Sequence, residues 1–319
     1  MKLGFIRSNF PGERRVPLLP QHIQDFENEL LVETGFGSML DIPDSAYEAV
    51  GCHICSRDII FQESDGIFSL KLIQPSDYER ICPGQMIIGW SHPLGSGKSF
   101  MEQQAYPKDL IVVDLDNHLP TIFYHHQQLR ADWIPTNFVY QNSFYAGYAG
   151  VLHACLSFGL FPNDQVNVAI LGSGNVAQGA FHAISKFTST VRMFYRRTLP
   201  EFHTQLSTFN FIINGIEVGN DGHPILTLED QRQVKPGTFF IDIAADAGNA
   251  IEGNHFTSLN TPIYQENGYY YYTVPNTPTL AYRNVSECLS QQFSRYIYQK
   301  DISIFKEKLA QAAFNDTST

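Results

Sequence analysis

The sequence has no long apolar run and a deficit of positive charge, and each of these absences excludes a class of protein. No stretch approaches the roughly 20 apolar residues of a membrane-spanning helix. The opening MKLGFIRSNFPGERRV is too poor in apolar residues for a signal peptide. The formal net charge of −11 argues against general nucleic-acid binding, which requires a basic surface. We therefore expect a cytoplasmic protein with neither a membrane nor a nucleic acid as its partner.

Cysteine is also scarce, with five in 319 residues. Without an export signal, these cysteines are expected to be reduced thiols. Cys52 and Cys55 form a single Cys-x-x-Cys pair. Metal or redox use would usually require a second pair or a thioredoxin-like context, and the sequence has neither. We interpret the five residues as packing or surface thiols and predict no metal site.

Short β-rich runs alternate with helical patterns along most of the chain. The runs KLGFI, GIFSLKLI, QMIIGW and LIVVDLD lie in the first half, and QVNVAIL, VRMFYRR, GTFFIDIA and GYYYYTVP lie in the second. This alternation predicts an α/β protein with two Rossmann-like domains, largely parallel sheets and a cleft between the domains. We expect residues 1–140 and 284–319 to form the substrate domain, and residues 141–283 the nucleotide-binding domain.

Three further segments carry local expectations. The segment PQHIQDFENELLVETGFG predicts a helix closed by Gly35, and GSMLDI predicts a strand. The segment NSFYAGYAGVLHACLSFGLFP is long, apolar and rich in small residues, which indicates a buried helix ending near Gly159. Its small residues require a closely packed partner helix, from the same domain or from another subunit. We expect a homo-oligomer, a dimer or a tetramer.

A glycine turn follows the QVNVAIL run. Gly172, Gly174 and Ala177 match G-x-G-x-x-A, with Asn175 and Val176 between them, after one predicted strand and at the start of a helix. The first glycine permits the turn, the second lets the backbone approach a pyrophosphate, and the alanine allows close packing. The helix N-terminus then favours phosphate. These five residues are the predicted dinucleotide site.

Two arginines follow the next predicted strand, VRMFY. An NAD-binding domain places an acidic residue on the ribose hydroxyls at this position, whereas an arginine suits a 2′-phosphate. Guanidinium groups bind phosphate bidentately and can stack on adenine. Arg196 and Arg197 therefore predict NADP(H) as the cofactor.

Three ionisable residues follow predicted strands of the first domain. Arg15 comes after KLGFI, Lys71 lies in LKLIQP, and IIGWSHP holds His92 at the end of another predicted strand. Ligands of open α/β sheets bind at the carboxyl ends of strands, so these residues can converge on one site. The alternative for each is a structural role, in an ion pair, on the surface or at a strand end.

Together with IDIAADAGNAIE, these motifs resemble the alanine dehydrogenase, pyridine nucleotide transhydrogenase and saccharopine dehydrogenase superfamily over nearly the whole chain. The opening segment, the compact length and the two arginines look most like the N(5)-(1-carboxyethyl)ornithine synthase family. That resemblance implies condensation of pyruvate with the side-chain amine of ornithine, or of lysine, followed by reduction of the imine with NADPH. Two substrates, a 2-oxo acid and an amino acid, are implied.

The resemblance also assigns roles to four residues. It implies that Arg15 holds the keto-acid carboxylate, that Lys71 polarises the carbonyl, and that His92 is the acid–base group. Asp246 is implied to lie near the nicotinamide. The chain departs from the family by having Ile73 where alanine dehydrogenases usually have a lysine. No residue identifies itself as the one that recognises the head group of the amino acid.

Three other functions stay open from the sequence. An alanine dehydrogenase would use ammonia as the amine, and a saccharopine-type enzyme would use 2-oxoglutarate and lysine. A non-catalytic NADP(H)-binding regulatory module belongs to a different class, and it would bind the cofactor without turning over any keto acid and amine.

Overall fold

The computed structural model describes residues 1–115, 119–219, 222–245 and 247–316. The chain forms two compact units, one of Met1–Val139 with Tyr282–Thr319 and one of Tyr140–Ala281. Each unit has its own mostly parallel sheet, so the predicted α/β class is confirmed. Among the residues described, no helix is long and apolar enough to cross a membrane.

The strands of the first unit are β1 (Lys2–Phe5), β2 (Glu29–Glu33), β3 (His53–Cys55), β4 (Gly66–Ser69), β5 (Met86–Gly89), β6 (Ile111–Asp114), β7 (Thr121–Tyr124) and β8 (Gln127–Arg130). The strands of the second are β9 (Val168–Leu171), β10 (Val191–Phe194), β11 (Phe211–Asn214), β12 (Phe239–Asp242), β13 (Ile263–Glu266) and β14 (Tyr269–Tyr272). The α-helices are α1 (Asp44–Glu48), α2 (Arg57–Glu63), α3 (Lys98–Phe100), α4 (Tyr140–Phe158), α5 (Asn175–Ile184), α6 (Leu199–His203), α7 (Leu228–Gln231), α8 (Tyr282–Phe293) and α9 (Ser303–Asp316).

The first sheet has the order β3-β2-β1-β4-β5-β6-β7-β8. Its first six strands in that order pair in parallel, and β7 and β8 extend it as an antiparallel hairpin. Strands β4, β5 and β6 are buried along their whole length, as expected of parallel strands covered on both faces. Strands β1, β4 and β5 are consecutive neighbours, so their carboxyl ends lie side by side.

The C-terminal segment completes the core of the first unit. The ring of Tyr298 lies 4.8 Å from that of Phe5 and 5.0 Å from that of Phe68, centroid to centroid, in edge-to-face contacts. Phe293, at the end of α8, contacts Phe68 at 5.1 Å. Tyr298 is fully buried. Strands near the N-terminus therefore pack on residues almost 300 positions away.

The second sheet has the order β10-β9-β11-β12-β14-β13. Its first five strands in that order pair in parallel, and β13 pairs with β14 in the antiparallel sense. Helices α4 and α5 cross at two glycines. A Cβ on Gly147 would lie 1.9 Å from the carbonyl oxygen of Val176, and one on Gly179 would lie 1.9 Å from that of Phe144. Helix α5 of the same unit is thus the partner that the small residues of α4 require. These small residues therefore no longer support the presence of a second subunit.

Two local predictions are wrong. The segment predicted as a helix closed by Gly35 contains a short 3-10 turn at Pro20–His22 and then strand β2. The apolar residues of ELLVE are buried between β1 and β3, where a continuous apolar run suits a parallel strand as well as a helix. The segment GSMLDI, predicted as a strand, forms a 3-10 turn at Ser38–Leu40. The long helix before Gly159 is confirmed as α4.

Candidate active site

Arg15 lies in the segment that follows β1 and forms a buried ion pair with Glu13. Its Nε donates to Oε1 of Glu13 at 2.8 Å, and its Nη2 donates to Oε2 at 2.5 Å. Both side chains are 1% exposed. Burial alone would raise the pKa of Glu13, but the charge and hydrogen bonds of Arg15, with a smaller contribution from Lys71, lower it to about 2. Glu13 therefore stays ionised and fixes the plane of the guanidinium group.

Trp90 brings Arg15 and Lys71 together, and sequence reasoning missed it. The guanidinium carbon of Arg15 lies 4.9 Å from the centroid of the Trp90 ring, and Nζ of Lys71 lies 5.1 Å from it. Both distances are those of cation–π contacts. Trp90 is 1% exposed, and its Nε1 has no hydrogen-bond partner within the part of the chain that the structure describes. Its signal in the sequence was an aromatic residue at a strand end, two positions before His92.

The strand ends that carry Lys71 and Trp90 approach each other closely. A Cβ on Gly89, the last residue of β5, would lie 1.8 Å from the carbonyl oxygen of Ser69 at the end of β4. Only glycine fits there. The Ser69 hydroxyl donates to the carbonyl oxygen of Lys71 at 2.5 Å, which stabilises the turn leading into that residue.

His92 occupies a constrained backbone position. Its φ of +45° is in the left-handed region, which is uncommon for a residue other than glycine. Its amide nitrogen donates to Oδ1 of the buried Asp114 at 3.3 Å, and its carbonyl oxygen accepts from Gly95 and Gly97, both at 2.9 Å. Asp114 ends β6 and is a second residue that sequence reasoning missed. The neighbouring strand therefore fixes the backbone of His92, whose side chain is half-buried.

The glycine turn of the second unit has the geometry that a pyrophosphate requires. Gly172 has a φ of +112°, and its amide nitrogen donates to the carbonyl oxygen of Phe194 at 2.8 Å. A Cβ on Gly174, the N-cap of α5, would meet no described atom within 4 Å, which leaves room for a ligand to approach the backbone there. Ala177 is fully buried, and a Cβ on Gly215 would lie about 3 Å from its backbone. Asn175 and Val176 form the first turn of α5. These residues fit a dinucleotide.

Arg196 and Arg197 are exposed in the tight turn that follows β10. The amide and carbonyl groups of Tyr195 bond to Thr198, which closes the turn around both arginines. The contrast is Arg192, whose guanidinium group bonds to Glu201 and to Gln205. No ion pair or hydrogen bond engages the side chains of Arg196 and Arg197 within the described residues, so both can meet an anionic group.

Asp246 lies outside the described residues. The segments on either side of it are held by Asp242, the fully buried last residue of β12. Its two carboxylate oxygens accept from Asn214 at 2.9 Å and from Asn254 at 3.1 Å. Asn254 in turn accepts from the amide nitrogen of Gly248 at 2.7 Å.

The cysteines have the character of structural thiols. Burial raises the pKa of Cys52 to about 11, and it also raises the pKa of Cys55. Neither is activated as a thiolate nucleophile. Across the ranges that the structure describes, no group of three or more histidine, cysteine, aspartate or glutamate side chains could hold a metal ion.

Comparisons with known proteins cover both units. The family model for the alanine dehydrogenase/PNT N-terminal domain matches residues 5–116, and that for the alanine dehydrogenase/PNT C-terminal domain matches residues 182–318. An N(5)-(carboxyethyl)ornithine synthase of Lactococcus lactis subsp. lactis is 58% identical over 309 residues, which is 97% of this chain and 98% of the relative. A protein of the same name from Clostridium botulinum (strain Hall) is 51% identical over 311 residues, 98% of each chain.

The fold has counterparts among solved structures. The transhydrogenase from Sinorhizobium meliloti superposes with a TM-score of 0.74 at 14% identity, over 93% of each chain. At this identity the likeness concerns the fold alone.

Proposed function

The chain belongs to the N(5)-(carboxyethyl)ornithine synthase family, and we propose that it condenses pyruvate with the side-chain amine of ornithine and reduces the product with NADPH. Its alanine dehydrogenase/PNT domains make it an oxidoreductase that uses a nicotinamide nucleotide. The observation that carries the proposed reaction is the cluster of Arg15, Lys71 and Trp90, because it sets two cations beside one buried ring at adjacent strand ends. A 2-oxo acid offers a carboxylate and a carbonyl oxygen to such a pair.

Arg15 is proposed to bind the carboxylate of pyruvate. Glu13 engages its Nε and Nη2 and so fixes the plane in which the remaining N–H groups point. Lys71 then stabilises the carbonyl oxygen as negative charge develops during attack by the amine. Glu13 balances the charge of Arg15. Lys71 adds a second cation beside the same ring.

His92 is proposed to move the protons. The ornithine side-chain ammonium has a reference pKa of about 10.4, so only about one molecule in a few thousand is the free amine at neutral pH. His92 removes that proton and returns one to the hydroxyl that leaves when the carbinolamine becomes an imine. A histidine is suited to both steps because its reference pKa is near neutrality. Bound NADPH supplies the hydride that reduces the imine carbon, and we propose that Asp246 lies near this centre.

We propose NADP(H) rather than NAD(H) because Arg196 and Arg197 follow β10, where a 2′-phosphate would lie. Gly172, Gly174, Asn175, Val176 and Ala177 are proposed to bind the pyrophosphate. Replacing Arg196 with Asp and Arg197 with Ser should raise the KM for NADPH strongly and leave that for NADH unchanged or lower. Arg192→Ser is the matched control, because Arg192 is engaged by its own neighbours. An unchanged KM for NADPH in the double variant would contradict the assignment of Arg196 and Arg197 to the 2′-phosphate.

The reaction is tested by NADPH oxidation with pyruvate, glyoxylate or 2-oxoglutarate, each combined with ammonia, ornithine or lysine. We expect pyruvate with ornithine to give the highest kcat/KM. Preference for ammonia would indicate an alanine dehydrogenase, and 2-oxoglutarate with lysine a saccharopine-type enzyme. Tight cofactor binding without turnover of any pair would indicate a regulatory module.

We further propose that the unit of Met1–Val139 and Tyr282–Thr319 holds the substrates and that Tyr140–Ala281 holds the cofactor. A cytoplasmic homo-oligomer, a dimer or a tetramer, remains our proposal for the assembly. Because α5 already covers the small residues of α4, this proposal rests on the oligomers that the family resemblance implies. Sedimentation showing only a 36.1 kDa species would contradict it.

A further inference from the structure

Arg57, the first residue of α2, joins the carboxyl ends of three neighbouring strands in the first unit. Its Nε and Nη2 donate to the two carboxylate oxygens of Asp77, in the segment after β4, at 2.9 and 2.7 Å. Its Nη1 donates to Oε2 of Glu33, the last residue of β2, at 2.7 Å, and to the carbonyl oxygen of Arg7, after β1, at 3.0 Å. Strands β2, β1 and β4 are adjacent in the sheet. One side chain therefore holds the ends of all three together.

The two carboxylates that Arg57 contacts are buried. Asp77 is 1% exposed and Glu33 is 4% exposed. A buried carboxylate is costly unless it is paired and hydrogen-bonded, and the bidentate contact from Arg57 meets both needs of Asp77. Because loss of either partner would leave a buried charge unpaired, this network holds its members in one arrangement.

The turn after β1 is fastened to this network at two further points. The amide nitrogen of Arg7 donates to Oε2 of Glu33 at 2.7 Å. Nδ2 of Asn9 donates to Oδ2 of Asp77 at 2.9 Å. Asn9 therefore ties the turn after β1 directly to the segment after β4.

Phe10, the residue that follows Asn9, contacts Lys71. Nζ of Lys71 lies 5.5 Å from the centroid of the Phe10 ring and 5.1 Å from that of the Trp90 ring, which are cation–π distances. Trp90 is 1% exposed, so its ring is fixed by the core. Phe10 is half-buried, between the exposed residues Asn9 and Pro11. The position of its ring against the ammonium group therefore depends on the bonds that fasten the turn.

We propose that Asn9, Asp77 and Arg57 are positioning residues for the condensation. They act through Phe10 on Lys71, because holding the turn keeps the Phe10 ring against a side chain that is otherwise flexible. A charge fixed in advance stabilises a developing oxyanion without rearrangement at the moment of reaction. The inference rests on the proposed function, in which Lys71 stabilises the carbonyl oxygen of the keto acid.

Asn9→Ala is the mild variant for the test, because Asn9 is exposed and the pair of Arg57 and Asp77 stays in place. With pyruvate and ornithine, kcat should fall by about 10- to 100-fold, the scale for a misplaced catalytic group. The KM for pyruvate should stay within about threefold of wild type, since Arg15 still holds the carboxylate. Arg57→Lys, which keeps the charge and loses the planar fork, should show the same split. Asn9→Ala decides the question if Arg57→Lys does not fold.

A second measurement does not depend on turnover. Acetic anhydride labels the lysines of the folded enzyme, and peptide mass spectrometry gives the rate at each position. In Asn9→Ala the rate at Lys71 should rise about two- to fivefold, the scale of one cation–π contact. The rate at Lys98, an exposed lysine of the same unit, is the internal reference and should not change. A purely structural role for Asn9 would leave Lys71 labelled at the wild-type rate.

Arg80→Gln is the matched control. Arg80 also contacts Asp77, at 3.5 Å, but it bonds to Asp58 at 2.6 Å and to the carbonyl oxygen of Ser76, and none of these residues belongs to the turn after β1. Its variant should keep kcat and the labelling rate of Lys71 within about twofold of wild type. Wild-type kcat or wild-type labelling of Lys71 in Asn9→Ala, or equal changes in Arg80→Gln, would overturn the inference.

The labelling also separates this inference from the proposed reaction. Faster labelling of Lys71 in Asn9→Ala, in an enzyme that turns over no keto acid and amine, would retain the positioning of Lys71 and reject the reaction. Turnover of pyruvate and ornithine, with Lys71 labelled alike in wild type and Asn9→Ala, would retain the reaction and reject the positioning.

Discussion

The carboxylate of Glu13 and the guanidinium group of Arg15 are both removed from solvent, where either charge alone would be costly to bury. The pair therefore does more than neutralise charge. It holds a cation in one orientation beside the Trp90 ring, which Lys71 also contacts. The sequence suggested Arg15 and Lys71, and the structure adds Glu13 and Trp90 as the residues that position them.

Glu13 should make the stability of the first unit depend on pH. Its pKa of about 2 lies below the ordinary value of 4.5, so its stabilisation is fully present above pH 4.5 and is lost as pH falls towards 2. The contribution is roughly 3 kcal/mol at most. Urea unfolding between pH 6 and pH 3 should show a steeper loss of stability in wild type than in Glu13→Gln. Equal slopes would contradict this prediction.

The backbone of His92 makes one substitution more informative than others. Asparagine tolerates a positive φ better than most residues, so His92→Asn removes the imidazole with little added strain. We expect turnover to fall by about 100- to 10,000-fold, the scale for loss of a general acid–base group. NADPH binding, measured by fluorescence titration, should persist because the glycine turn belongs to the other unit. Wild-type turnover in this variant would assign the proton transfer to another residue.

At the scale of elements, the crossing of α4 and α5 controls the position of α5, the helix that follows the glycine turn. Both glycines at the crossing face backbone atoms of the opposite helix, which cannot move aside as the end of a side chain can. The position of α5, and with it the proposed pyrophosphate site, therefore depends on a contact between two helices. The pattern of small residues in the sequence indicated close packing but did not identify the partner.

Gly147→Ala should separate the two helices. The added Cβ would lie 1.9 Å from the Val176 carbonyl oxygen, so we expect a loss of stability of about 1–3 kcal/mol and weaker NADPH binding. Thermal unfolding and fluorescence titration measure the two effects. Gly219→Ala is the control, since a Cβ there would meet no atom of the described residues within 4 Å. If Gly147→Ala behaved like this control, the crossing would not control the cofactor site.

At the scale of the whole molecule, the first unit is built from two distant segments of the chain. Residues 282–319 supply Phe293 and Tyr298, whose rings pack against Phe5 and Phe68. The second unit is one continuous segment, Tyr140–Ala281. The two units should therefore respond differently to loss of the C-terminal segment.

A chain that ends at Ala281 should keep a folded second unit and lose the first. Limited proteolysis should leave a protected fragment close to Tyr140–Ala281 that still binds NADPH, while residues 1–139 are degraded. Adding a peptide of residues 282–319 should restore protection of residues 1–139, because it returns the missing aromatic residues. Full protection of residues 1–139 without the peptide would show that the C-terminal segment is dispensable for that unit.

The sequence by itself determined the features that local chemistry controls. The glycine turn and the two arginines lie within a segment of 26 residues. Glycine and strand patterns are local, so they can be recognised in a segment of that length. The alternation of strands and helices similarly predicted the α/β class. Tertiary structure decided the rest. The run ELLVE becomes a strand because β1 and β3 lie on either side of it, and its five residues carry no period that excludes a helix. Glu13 and Trp90 join the site because parallel pairing brings separate strand ends together, and that depends on contacts between residues far apart in the chain.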